Sequence, residues 1–107
     1  MSTIREILYA NRHNRAGIQA FCERLIKRSK EYAVIAATAS ATARANVADA
    51  ATAADSAIDA PNSSDGATYA GNAATATART ARAINGATGH NAEIERQRVD
   101  LKEIFGE

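Results

Sequence analysis

Cys22, His13 and His90 are the side chains from which nucleophilic catalysis would most readily be built, a thiol and an imidazole needing only a carboxylate to complete a hydrolase or transferase site. Their settings point elsewhere. Cys22 lies between Phe21 and Leu25/Ile26 on an apolar stripe, the surroundings of an inert buried thiol and not of an activated thiolate. His13 falls in a polar connector between Arg12 and Arg15, and His90 follows Gly89, where a solvated ring is expected. The Glu-x-x-His pair of bundle metal centres and the His-Glu-x-x-His zinc motif are both absent, and one Cys with two His cannot complete a four-ligand structural zinc site. Gly66 and Gly71 have the spacing of a phosphate loop without its following Lys or a preceding strand. The reading is a non-enzyme, with no catalytic residue, metal or cofactor.

Binding chemistry is better represented. Arg12 and Arg15 in the first connector, then Arg24, Lys27, Arg28 and Lys30 on the helix that follows, form a basic cluster able to track a phosphate backbone or an acidic protein surface. Residues 1–32 hold seven cations against three carboxylates, and residues 33–107 six against nine, so the chain is electrically two-ended. Glu23–Lys27 and Lys27–Glu31, each at i,i+4, are expected to neutralise part of the cluster. No aromatic residues interleave the cations to stack bases, and the polar turn within 3–30 has no helix–turn–helix signature. Arg12, Arg15, Arg24, Lys27 and Arg28 are therefore the candidate partner-binding residues, with a protein preferred to nucleic acid as the partner. A polar stripe of Thr38, Thr42, Asp49, Thr52 and Ser56 reads as solubilising. The eleven-residue threonine repeat of alanine-rich antifreeze proteins fails in it, because Asp49 follows Thr38 by eleven.

The elements that position these residues must be built from little. Alanine supplies 27 of 107 residues, whereas Leu, Ile, Val and Phe together supply 17. Such a thin apolar stock with near-zero net charge argues for a folded helical domain rather than disorder. No apolar run approaches the roughly 20 residues of a membrane span, and no basic-then-apolar leader opens the chain. The expected location is the cytoplasm, and the expected organisation is one domain: a basic part at 1–32, an Ala-rich helical hairpin at 33–90 and a C-terminal helix at 91–107.

Thr3 and Glu6 have capping-box spacing and open a helix over about 3–11. Asn14 caps a second helix, whose apolar positions Ile18, Phe21/Cys22, Leu25/Ile26, Ser29 and Tyr32/Ala33 run on as Ala36, Ser40, Ala43, Val47, Ala50, Ala54 and Ala57. That seam predicts one helix over about 15–59, bent or broken near Ser29 or at the composition boundary. Asp59–Gly66, containing Pro61, predicts the main turn. Ala67, Gly71, Ala74, Ala78 and Ala81 form a second small-residue seam on a helix over about 65–85, which Asn85-Gly86 ends. A last helix over about 91–105 bears Ile94, Leu101, Ile104 and Phe105. These join Ile4, Ile7, Leu8, Ile18, Phe21, Leu25 and Tyr32 in the expected core, with the Ala-rich hairpin projecting from it or self-associating. The fold class is all-α, an antiparallel helical bundle of about four helices, and the seams predict a homo-oligomer.

The Ala-rich middle followed by Glu95-Arg96-Gln97-Arg98-Val99-Asp100-Leu101-Lys102-Glu103-Ile104-Phe105-Gly106 resembles the end of alanine-rich helical proteins of phages and mobile elements, some grouped with toxin-immunity proteins. The likeness covers residues 33–106, without the long Ala/Tyr/Asp repeats of many such proteins. It implies a small accessory protein that binds and blocks a partner, here a host-defence or toxin protein, and carries over no site residue. The function expected is thus a non-catalytic protein-binding inhibitor, with a nucleic-acid-binding module on the basic N-terminal helices as the alternative.

Overall fold

The computed structural model describes residues 2–106. Thr3 Oγ1 accepts from the Glu6 N–H at 3.1 Å and Glu6 Oε1 accepts from the Thr3 N–H at 2.9 Å. This reciprocal cap starts α1, Ile4–Ala10, which buries Ile4 and Leu8. Asn14 caps α2, Arg15–Ala39, by accepting from the Gly17 N–H at 2.9 Å. At about 1.5 Å per residue its 25 residues span the 39 Å long dimension of the molecule.

The single helix expected over 15–59 is broken at Ser40, not near Ser29 or residue 32. Ser29 is buried within uninterrupted helix, and the composition boundary lies in the middle of α2. Ser40 is extended (φ −162°, ψ 161°), and its Oγ accepts from the Ala43 N–H at 3.0 Å, so one residue both ends α2 and caps α3, Ala41–Asp59. A serine hydroxyl can replace a lost helical bond in this way, which an alanine cannot. The break lets α3 fold back along α2: Arg15 Nη2 donates to Ala60 O at 2.9 Å and Gln19 Nε2 to Ile58 O at 3.5 Å.

After the turn at Pro61, Asn62 caps α4, Ser63–Phe105, accepting from the Asp65 N–H at 2.9 Å. Asn85 (φ −137°, ψ 19°) and Gly86 (φ 67°, ψ −156°) leave the helical region and divide α4 into arms over 63–84 and 87–105. Gly86 adopts a conformation that is strained for any residue with a Cβ, the physical content of the Asn-Gly stop read from the sequence. The second arm doubles back on the first, Gln97 Nε2 reaching Ala74 O at 3.0 Å. Gly89 allows the two arms to approach closely beside the break, since a Cβ there would lie 2.5 Å from Ala81 O. Thus α2, α3 and the two arms of α4 form an up–down–up–down antiparallel bundle, with α1 laid on α4.

The Ala-rich hairpin, α3 with the first arm of α4, does not project. Ala54, Ala57, Ala67, Ala70, Ala73 and Ala74 share one core with Ile4, Leu8, Ile18, Phe21, Leu25 and Leu101. Ile7, Ile94, Ile104 and Phe105 pack partly buried against it, and Tyr32 is half-buried. Ala43, Ala50, Ala54 and Ala57 are at most 3 % exposed. The seams expected to join copies therefore close within one chain: four staves cover the alanine faces that an isolated hairpin would leave open, and small side chains let the axes approach. Among the described residues no helix is long and apolar enough to cross a membrane.

Candidate functional site

The second arm of α4 turns Glu93, Gln97 and Asp100 inward at helical spacing, opposite Arg24, Arg28 and Tyr32 of α2. Glu93 is fully buried and accepts four hydrogen bonds: Arg28 Nε at 2.7 Å, Arg28 Nη2 at 2.8 Å, Tyr32 Oη at 2.6 Å and Gln97 Nε2 at 2.8 Å. The Arg28 fork on a carboxylate is the arrangement arginine is shaped for. Arg28 Nη1 also lies 3.0 Å from Asp100 Oδ2, an ionic contact without hydrogen-bond alignment. Arg24 Nη1 bridges Asp100 Oδ1 and Glu103 Oε1, both at 2.9 Å. The lattice thus neutralises two arginines with three carboxylates.

The protonation equilibria follow from this arrangement. Burial of Arg28 favours loss of its proton, but hydrogen bonds and charge from Glu93, with the charge of Asp100, outweigh it and hold the guanidinium above its ordinary value. Hydrogen bonds to Asp100 and Glu103 raise Arg24. Burial and donation to Glu93 push the Tyr32 hydroxyl up to about 12. Burial, aided by the charge of Glu23, pushes the Cys22 thiol up to about 12, the reverse of nucleophile activation.

The five residues singled out from the sequence separate into two groups. Arg24, Lys27 and Arg28 line a groove of about 530 Å³ between α2 and the second arm of α4, whose opposite wall carries Ala92, Glu95, Arg96 and Val99. Arg12 and Arg15 lie at the end of the bundle where α2 starts, beside Ile18, Gln19 and the Asn62 cap. Arg12 Nη1 donates to Tyr9 O at 2.9 Å, and its guanidinium lies 4.2 Å from the Tyr9 ring centroid. Lys27 is exposed, and among the described residues neither of the i,i+4 pairs expected for it closes. His13 belongs to the connector at that same end, whereas His90 follows the Gly86 break at the other.

Sequence reasoning gave Glu93, Gln97 and Asp100 no part in a site. Asp100 is 7 % exposed. The available signal was the recurrence of polar residues at 93, 97 and 100 on the helix face that also bears Leu101, opposite a basic helix of matching periodicity. Comparison of the chain with protein-family models, with curated proteins and with solved structures finds none that matches.

Proposed function

We propose that the chain is a non-catalytic binding protein whose α2/α4 groove receives a mixed-charge amphipathic helix of another protein. The observation that carries this reading is a groove floor whose arginines are already paired, with the exposed Val99 on one wall and the exposed Val34 on α2 just beyond the groove lining. Lys27, Glu31 and Val34 follow one another at i, i+4 and i+7 on α2, and Ala92, Glu95/Arg96 and Val99 repeat that spacing on the facing arm. Val34 is 76 % and Val99 54 % exposed. A helix with apolar anchors and charges of both signs complements this surface, since each wall offers one cation and one anion: Lys27 and Glu31, Arg96 and Glu95.

The arginine lattice favours a protein over nucleic acid. Phosphate binding draws on uncompensated cations, and Arg24 and Arg28 already face Glu93, Asp100 and Glu103. The buried thiol and the separated imidazoles support a role without catalysis. Because the alanine seams are buried within one chain, self-association through them is not part of this reading. An inhibitory role toward a host-defence or toxin protein, in a host cytoplasm, rests on the resemblance of residues 33–106 alone.

The test pairs capture and salt dependence. Wild-type protein should retain a protein partner from the cells that encode it, and Val34→Asp and Val99→Asp, both on exposed positions, should lose that partner while keeping the wild-type helical circular dichroism. A labelled DNA or RNA duplex should not bind at low salt. Duplex binding that weakens steeply with salt and disappears in an Arg12→Ala/Arg15→Ala variant would overturn the reading in favour of a nucleic-acid module.

A further inference from the structure

On the opposite side of the bundle, Arg5 of α1 is held in place by neutral groups. Its Nη2 donates to Asn72 Oδ1 at 2.9 Å and to Thr75 Oγ1 at 3.3 Å. Thr75 is itself fixed, its hydroxyl donating to Gly71 O at 3.0 Å. The arginine lies directly on the α4 backbone: a Cβ at Gly71 would stand 2.8 Å from Nη1 and 3.2 Å from Cγ, so glycine is what admits it. In contrast to Arg24 and Arg28, Arg5 has no carboxylate within ion-pair distance among the described residues. Because Asn72 uses its oxygen on Arg5, its Nδ2 hydrogens remain as donors beside the free edge of the guanidinium.

This fork opens into a polar groove of about 410 Å³ between α3 and the first arm of α4. Arg79 supplies a second cation, and Thr52 and Ser56, the end of the polar stripe noted in the sequence, supply hydroxyls. Asp49 lines the same groove with the opposite sign, and the partly exposed ring of Tyr69 stands at its α3–α4 turn end. We propose that this groove binds a small organic phosphate bearing hydroxyl groups: the phosphate on Arg5, Asn72 Nδ2 and Arg79, and the hydroxyls donating to Asp49. A guanidinium held before the ligand arrives loses little conformational entropy on binding, which is the function of the Asn72–Thr75–Gly71 cradle. Asp49 disfavours a bare anion and so selects a ligand that also brings donors. Tyr69 offers a face on which a nucleobase can stack, which a sugar phosphate does not use.

Isothermal titration calorimetry of the full chain with inorganic phosphate, ribose 5-phosphate and adenosine monophosphate tests this. Ribose 5-phosphate or the nucleotide should bind at least about tenfold more tightly than inorganic phosphate, the scale of one or two hydrogen bonds to a charged group. Arg5→Met should weaken that binding about tenfold or more, and so should Asn72→Asp, which leaves Arg5 in position but pairs its charge. Tighter binding of the nucleotide identifies Tyr69 as a platform, with Tyr69→Ala returning it to the sugar phosphate's level. Equal affinity for the two identifies a sugar phosphate site. No heat from any of the three at millimolar ligand, inorganic phosphate binding as tightly as the organic ligands, or undiminished affinity in folded Arg5→Met and Asn72→Asp would overturn the proposal.

Discussion

Replacing Glu93 by Gln removes one charge and almost no volume from a fully buried position that receives four hydrogen bonds. The amide keeps one acceptor and turns an NH2 toward donors, so at least one of Arg28, Tyr32 and Gln97 loses its partner. Arg28, 9 % exposed, retains only its unaligned contact with Asp100. Breaking a buried pair from one side costs about 3–5 kcal/mol, because an uncompensated charge stays behind. A domain of this size has about 5–15 kcal/mol in total, so the variant loses a large share and melts about 12–20 °C lower. Removing both ends has a different outcome. Arg28→Met/Glu93→Leu leaves Asp100 with Arg24, Gln97 with Ala74 O, and the half-buried Tyr32 hydroxyl within reach of water, so the double variant falls within about 2 kcal/mol of wild type. Urea unfolding of wild type, Arg28→Met, Glu93→Leu and the double gives the coupling energy directly, expected at about 2 kcal/mol or more. A loss under about 1 kcal/mol for Glu93→Gln, or additive losses in the double variant, would refute the view that charge compensation holds α2 against α4.

Leu101→Ala should cost about 2–5 kcal/mol by urea unfolding, since a fully buried side chain from the second arm closes the one core. Gly86→Ala should cost about 1–3 kcal/mol, the strain of its φ of 67° and ψ of −156° on a Cβ with nothing nearby to clash, whereas Gly106→Ala, at the exposed cap of α4, should cost less. Cys22, 9.0 unfolded, and Tyr32, 10.0 unfolded, both rise to about 12 in the fold. A raised acid pKa stabilises below the unfolded value and loses that contribution as pH climbs through the folded one, so the urea midpoint should fall between about pH 9 and 12. Tyr32→Phe should make that fall shallower above pH 10, and native Cys22 should resist alkylation at pH 8.

The helices were legible because their starts and stops are local: Thr3 with Glu6, Asn14, the Pro61 turn and Asn85-Gly86 each carry the signal in one or two side chains. Ser40 was not, since a serine inside an unbroken alanine seam satisfies helix periodicity and caps equally well, and only the burial gained by folding α3 back decides between them. The same ambiguity hid the closure of the seams, because alanine periodicity describes a close-packed face without saying whether the other face belongs to the same chain. Arg24 and Arg28 were visible as cations, while their neutralisation by Asp100, Glu103 and Glu93 depends on contacts 65–79 residues apart. Arg5 passed unnoticed for a related reason: its neutral cradle of Asn72, Thr75 and Gly71 has no periodic signature, and helix packing alone brings it together.

Site-specific photocrosslinking decides whether a protein occupies the α2/α4 groove, with a benzophenone amino acid placed in turn at Val34, at Val99 and, as a control on exposed α3, at Asp55, in the cells that encode the protein. Val34 and Val99 should give the same single protein adduct and Asp55 none. An adduct from Asp55 alone, or adducts to nucleic acid in place of protein, would contradict the proposed function.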